Sequence, residues 1–487
     1  MSLVRSLTLL PLVLLALNFS TVNGAPPDAL DESVTSLTPD AWEHARKIWE
    51  WAEPGYQEVK SSALLSKWLE DAGFKVTRGI GGMPTAFTAE YGSGSPVIAI
   101  LGEYDALPGL SQADVPYREP RSETNWGQGC GHHLFGVASA QAAIALAREM
   151  KEKKLPGTIR YYGCPAEEGG SAKAFLTRDG HFNGVDAALH WHPGSANSAA
   201  AKTSLARIAL RFRFHGVSAH AAGSPEQGRS ALDAVEVTNF AANLMREHMP
   251  SAARMHYVIT NGGNAPNVVP NEAEVYYYIR HPNSNVVRDL HKRLVKCAEA
   301  GALATETRLE RIEEGGILEL LPNKPLNDRI AIHMKNRMNL QLTPEDLEFA
   351  QRLQESFVAP KPLTDIQKIS TGATEVSGGS TDVGDVSWVV PTGGFSVACW
   401  PPGTPGHSWQ AVAAGRTDLA RQGMELAAKV LAATARDLLT DEELLDQSRQ
   451  DFQKRLGVRQ FAPLIPADLP PPLNYRDSAI KGAKSSE

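Results

Sequence analysis

With 487 residues, 42% hydrophobic and 21% charged, the chain has the make-up of a globular protein large enough for two or three domains. Its mild net charge of -7, with no basic stripe or arginine-rich arm, excludes a nucleic-acid partner.

Arg5 is the only charged side chain in residues 1–24, and it precedes an apolar run from Leu7 to Leu17. Polar Asn18 and Ser20 follow, with small Val22 and Gly24 ahead of Ala25, a pattern that predicts a cleaved secretory signal. Pro11 interrupts the run, which falls short of the roughly 20 residues of a spanning helix. The mature chain is therefore expected to be exported, periplasmic or secreted, with no membrane partner after cleavage.

A Pro-containing linker runs from Ala25 to Pro39. Helices are predicted over 40–53, with Asp40 as N-cap, and over 58–72, closed by Gly73. Residues 96–101 (PVIAIL) suit a strand buried on both faces. A helix over 133–150 and strands over 158–162 and 187–189 continue an alternation that argues for an α/β domain with a mixed, largely parallel sheet. From about Thr203 the order becomes β-α-β-β-α-β: strand 205–214, helix 230–249, strands 255–260 and 273–280, helix 285–304 and a strand near 305–312. That is the order of a ferredoxin-like α+β domain. Helices over 324–357 return to the first domain. One strand (394–398) and helices over 409–439 and 441–456 follow, then a Pro-rich tail that wraps the surface and loses order. The division is a signal (1–24), a linker (25–37), a catalytic domain in two parts (38–202 and 315–460), an inserted lid or dimerisation domain (203–314) and a tail (461–487).

Cys130, His132, the adjacent pair Glu167-Glu168, His192 and His407 supply a thiolate, three imidazoles and two carboxylates. These can hold two divalent metals, zinc or manganese, and leave one carboxylate to move a proton. Adjacent glutamates in extended backbone point in different directions, so one can ligate while the other faces substrate. Several of these residues sit just past predicted strand ends, where open α/β sheets place their sites. His190 is a rival to His192, since two residues apart in a strand share a face. Of the four cysteines, Cys130 is expected on metal; Cys164, Cys297 and Cys399 read as small buried residues. No Gly-x-Ser-x-Gly elbow or His-Glu-x-x-His pair occurs, which disfavours serine-hydrolase and thermolysin-like chemistry.

The stretches LGEYDALPGLSQ (101–112), GQGCGHHLFG (127–136), CPAEEGG (164–170), ALHWHPG (188–194), GVSAHAAGSPEQGRSALDAVE (216–236), APNVVPNEAEVYYYIR (265–280) and PPGTPGHSWQAVA (401–413) resemble the M20 family of metallopeptidases and amidohydrolases, in particular subfamily D. The resemblance runs from about residue 38 to 470 and implies a homodimer that hydrolyses small N-acyl or N-aroyl amino acids, or dipeptides. It implies Cys130 as bridging ligand, with His132, Glu168, His192 and His407 completing two metal sites. Glu167 becomes the general base and acid, and Asp105 orients a ligand. His220 approaches the site, in related enzymes from the partner subunit, to stabilise the tetrahedral intermediate. Asn267 and Arg280 bind the substrate carboxylate or the oxyanion. His133 replaces an aspartate found in many members. Glu103 stands where other members have a metal-binding histidine and reads as structural, an extra ligand being the alternative. The competing readings are a silent carboxylate-binding protein and a redox protein using Cys130.

Overall fold

A computed structural model describes residues 28–372, 376 and 378–476. The expected signal and the last residues of the tail lie outside the described residues. Two main sheets organise the chain, an eight-stranded one and a four-stranded one. The strands Val97–Gly102, Gly157–Gly163, Ala187–Gly194 and Thr392–Ala398 form the centre of the larger sheet and are mutually parallel. Antiparallel strands Lys75–Arg78 and Phe87–Ser93 extend one edge. Short strands Asn197–Ser198 and Ile369–Ser370 extend the other. The mixed, largely parallel α/β sheet expected from the sequence is therefore present. Residues 97–102 form such a central strand because their side chains are apolar on both faces, and helices cover both.

The smaller sheet places its strands in the order Arg254–Asn261, Glu272–His281, Ala206–His215, Arg308–Ile317, all antiparallel. Helices Ala231–Met245 and Ser284–Thr305 pack on one face through Ile208, Leu210, Phe212 and Phe214. On the opposite face Arg211 and Arg213 pair with Glu274, as the alternation in this strand implies. This is the ferredoxin-like α+β arrangement.

Several elements differ from the sequence reading. The first helix is Ala29–Trp51, capped by Asp28, and runs through Pro39 where a linker was expected. Proline inside a helix removes a hydrogen bond and crowds the preceding turn. Burial of Leu30, Val34, Leu37, Ala41 and Ile48 in the main core outweighs the local penalty. The strand expected at 187–189 extends to Gly194, so His190 and His192 lie within it rather than beyond it. The helix expected over 409–439 is two helices, Trp409–Ala414 and Asp418–Thr440. Between them His133 Nε2 meets the Gly415 carbonyl at 2.9 Å, which fixes the break. The tail does follow the surface, but Leu464 and Ile465 are buried, and at Tyr475 and Arg476 it reaches the candidate site.

Candidate active site

Each central strand delivers chemistry just at or beyond its C-terminal end, as open α/β sheets do. Val97–Gly102 runs into Glu103 and Asp105. Gly157–Gly163 leads to Glu167 and Glu168. Ala187–Gly194 carries His190 and His192, and Thr392–Ala398 leads to the loop of His407. Cys130 lies in the turn that opens the helix His132–Lys153. Gly131 between them has φ +79, and a Cβ there would stand 2.6 Å from Pro193 Cγ. Only glycine lets this turn close against the histidine strand.

The ligand-type atoms of Cys130, His132 and His192 lie within 4.8 Å of one another, and so do those of Cys130, Glu168 and His407. Cys130 Sγ is 3.4 Å from His192 Nε2, and His407 Nε2 is 3.0 Å from Glu168 Oε1. Cys130 is common to both groups, the position a bridging thiolate would take. His192 stands beside Cys130; His190 belongs to neither group and packs against Gly394.

Two buried atoms, His132 Nε2 and Glu168 Oε1, have no well-aligned hydrogen bond, although Glu103 Oε2 lies 3.1 Å from the former and His407 Nε2 3.0 Å from the latter. Unpaired buried polar atoms are costly, and a cation held in each group would satisfy them. The donor set, thiolate with imidazole and carboxylate, fits divalent metals on the same ground. A third group, Glu103, His132 and Glu167, also converges. There Glu103 is taken up by Lys173, whose Nζ lies 2.6 Å from Glu103 Oε1 and 2.7 Å from Asp382 Oδ1, all buried.

Asp105 holds the arrangement. Its Oδ1 meets His132 Nδ1 at 2.8 Å, leaving Nε2 toward the site, and its Oδ2 accepts from the Glu168 amide at 3.0 Å. The turn carrying the glutamate pair is strained, with Ala166 at φ 54 and Ser171 at φ 55. Each such residue costs about 1–3 kcal/mol and persists only where its surroundings hold it. Glu58 accepts from the Ala166 amide at 2.8 Å, and the Tyr56 hydroxyl donates to the Gly170 carbonyl at 2.8 Å.

The two glutamates are electrostatically distinct. Burial, then the charges of Glu103 and Glu168, push the Glu167 carboxyl well above the usual range. Burial opposes ionisation of Glu168 too, but the His407 contact and the His132 charge outweigh it and bring its pKa down to about 2. Glu167 is thereby the more basic of the two carboxylates and Glu168 the one that stays charged, the division a proton carrier and a ligand need. Burial, then the His132 charge, lowers His192 to about 4, so it is a neutral imidazole at neutral pH.

Both clusters open into a cavity of about 660 Å³, lined on the lid side by Arg207, Tyr278 and Arg280, with Arg476 of the tail alongside. Arg207 and Arg280 stack over the Tyr278 ring at 4.9 and 5.4 Å. The Nε atoms of Arg207, Arg280 and Arg476 are buried without a hydrogen-bond partner. His220 and Asn267 are not brought to this cavity within one chain. They sit together on the exposed lid surface, where the Ala221 amide donates to the Asn267 carbonyl at 3.0 Å and Nδ1 of His220 accepts from the Gly223 amide at 3.1 Å. His133 faces away, toward Gly415.

Sequence reasoning missed Lys173, Asp382, Glu58, Arg207, Tyr278 and Arg476. Lys173 gave one usable signal, a single charge inside the apolar stretch AKAFL. All four cysteines are free thiols; Cys164 and Cys399 are buried as expected, whereas Cys297 is only partly buried.

Residues 206–306 match the family model of the peptidase dimerisation domain M20_dimer. The chain is 41% identical over 456 residues to one of the polypeptides of the p-aminobenzoyl-glutamate hydrolase of Escherichia coli (strain K12), covering 88% of this chain and 95% of that protein. It is 30% identical to the Xaa-Arg dipeptidase of Homo sapiens, covering 86% and 89%. Among solved structures, the aminobenzoyl-glutamate utilization protein of Klebsiella pneumoniae superposes with a TM-score of 0.59 at 18% identity, covering 84% of this chain and 98% of that one. A dinuclear metal binding peptidase from the M20 family, YXEP of Bacillus subtilis, does so with a TM-score of 0.51 at 18% identity, covering 82% and 99%.

Proposed function

The chain belongs to the M20 family of metal-dependent peptidases and amidohydrolases, and from that premise we propose that it hydrolyses N-acyl or N-aroyl amino acids that release an acidic amino acid. The observation that carries this is one cavity holding both ligand groups and, on its lid side, Arg207 and Arg280 with unpaired Nε–H groups. Guanidinium groups bind carboxylates in a planar, bidentate way. These two cations would repel an arginine side chain, so the cavity favours a substrate like that named for the Escherichia coli relative over one like that named for the Xaa-Arg dipeptidase.

In this reading Cys130, His132 and His192 would hold one divalent metal, and Cys130, Glu168 and His407 the other. The donors suit zinc and manganese alike. Such metals, when bound, polarise a carbonyl and acidify water. Glu167 takes the proton of the attacking water and returns it to the leaving amine. Asp105 fixes the His132 tautomer and the Glu168 backbone. Arg280, with Arg207, orients the substrate carboxylate, which places the scissile amide over Glu167.

The test is a mass-spectrometric panel of p-aminobenzoyl-glutamate, other N-acyl amino acids and dipeptides, with metal content measured on the same sample. The expected result is cleavage of p-aminobenzoyl-glutamate and little cleavage of arginine-ended dipeptides. Glu167→Gln should lose turnover by at least about a hundredfold while keeping its metal. An active Glu167→Gln protein, or equal cleavage of arginine-ended dipeptides, would overturn the reading. Export is proposed from residues 1–24 alone; the expected mature N-terminus is Ala25, checked by N-terminal sequencing of exported protein.

A further inference from the structure

The described part of the C-terminal tail belongs to no part of the sheet, yet its last residues, Tyr475 and Arg476, lie on the loop of the glutamate pair. Leu464 packs with the lid core, while Ile465, Leu469, Leu473 and Tyr475 pack with the catalytic domain. One arginine from each domain grips the tail backbone. Arg288 of the lid helix donates to the carbonyls of Ala462 and Pro463, and Arg178 donates to those of Pro466 and Leu469 at 3.1 and 2.6 Å. The tail then delivers two donors to one acceptor. The Tyr475 hydroxyl donates to the Glu168 carbonyl at 3.2 Å, and the Arg476 guanidinium donates to the same carbonyl. Room is left for this contact: a Cβ on Gly55 would stand 2.3 Å from the Tyr475 hydroxyl. The Tyr475 ring lies edge-on to Tyr56 at 5.9 Å, and Arg476 stacks on Tyr475 at 4.6 Å.

We propose that Tyr475 and Arg476 are positioning residues of the active site, holding the Glu168 carbonyl so that the strained turn 166–171 presents Glu167 and Glu168 in working register. The other peptides of that turn are pinned from within the catalytic domain, by Glu58, Asp105 and Tyr56. Among the described residues, the Glu168 carbonyl is held by side chains of the tail alone. Releasing it frees the peptide between Glu168 and Gly169, at the point where the backbone turns through Gly169 at φ +110. The consequence falls on the chemical step and not on substrate capture, because the arginines of the lid wall stay in place.

The inference leans on the hydrolase reading for its kinetic arm only. Two shortened chains separate it from general destabilisation, one ending at Ala479 and one ending at Asn474. Turnover is followed with p-aminobenzoyl-glutamate, and amide hydrogen exchange is followed over 166–170, which needs no substrate. The chain ending at Ala479 should match the full chain in both. The chain ending at Asn474 should lose about tenfold or more in kcat with KM within about threefold. Its amides at 166–170 should exchange about tenfold faster, with metal content unchanged. Should that chain fail to fold, the full-length double variant Tyr475→Phe, Arg476→Met carries the same expectations, and Arg476→Lys should recover part of the loss because it keeps a donor. Exchange at 166–170 as slow as in the full chain, or a change in KM alone, overturns the proposal. If the full chain turns over nothing on the panel, the hydrolase reading fails and the exchange measurement still decides the role of the tail.

Discussion

At the scale of single residues, Asp105 does the most with one side chain. One oxygen sets the tautomer of His132 and the other holds the backbone of Glu168, so a single carboxylate orients donors for both candidate metal positions. Asp105→Asn can keep one of these bonds but presents an NH2 group to the other donor. Metal affinity is expected to fall about 10–100-fold, read by metal titration against a competing chelator, with the fold intact by circular dichroism. Unchanged affinity would mean that His132 and Glu168 are oriented by their own elements. The donor set was legible in the sequence because Cys, His and paired Glu are chemically loud. Asp382 was not, and Lys173 showed only as a charge inside an apolar stretch, because a lone lysine in a helix reads as a solvated side chain until its partner, 209 positions away, is brought beside it. Glu58 is the same case. It stands before a helix, where glutamate is ordinary, but burial and then the Asp105 charge push it up to about 8, and it supports the Ala166 amide.

At the scale of elements, the buried strands were legible because an apolar run bounded by turn residues has few other uses in a soluble chain. The starts and breaks of helices were not, because distant partners decide them. The first helix begins at Ala29 where its cap is also an ion pair: Asp28 accepts from the Leu30 amide at 3.1 Å and from the two terminal nitrogens of the Arg436 guanidinium at 2.9 and 2.8 Å. The Arg436 hydrogen bond, working against burial, lowers the Asp28 pKa. A carboxyl lowered in the folded state contributes stability above its unfolded pKa, and loses it as pH falls through the folded value. Asparagine caps helices about as well as aspartate, so Asp28→Asn removes the ion pair and spares the cap. It should cost about 1 kcal/mol at pH 7, measured by denaturant unfolding, and the difference should shrink below the ordinary carboxylate range near about pH 4. A difference that persisted unchanged at pH 3 would assign the effect to the cap instead.

At the scale of the whole molecule, the lid carries His220 and Asn267 on a surface that does not line its own cavity, while Arg207 and Arg280 of the same lid do. The lid also exposes Phe240 and Val258, 68% and 58% accessible, on a helix and on the edge strand Arg254–Asn261. An unpaired edge beside exposed apolar side chains is what a second copy of the chain would cover. If a homodimer forms this way, His220 reaches the partner's cavity and each active site is built from two chains. Mixing two inactive proteins decides the matter. One protein carries Glu167→Gln with His220 intact, and the other carries His220→Ala with Glu167 intact. In a mixed dimer, one site combines both defects and the other combines neither. After subunit exchange at equal concentrations, about half the dimers are mixed, so about a quarter of all sites should be whole. Activity should rise from near zero toward that fraction, and should follow dilution as dimers dissociate. If each chain used its own His220, every site would carry one defect and no activity would return.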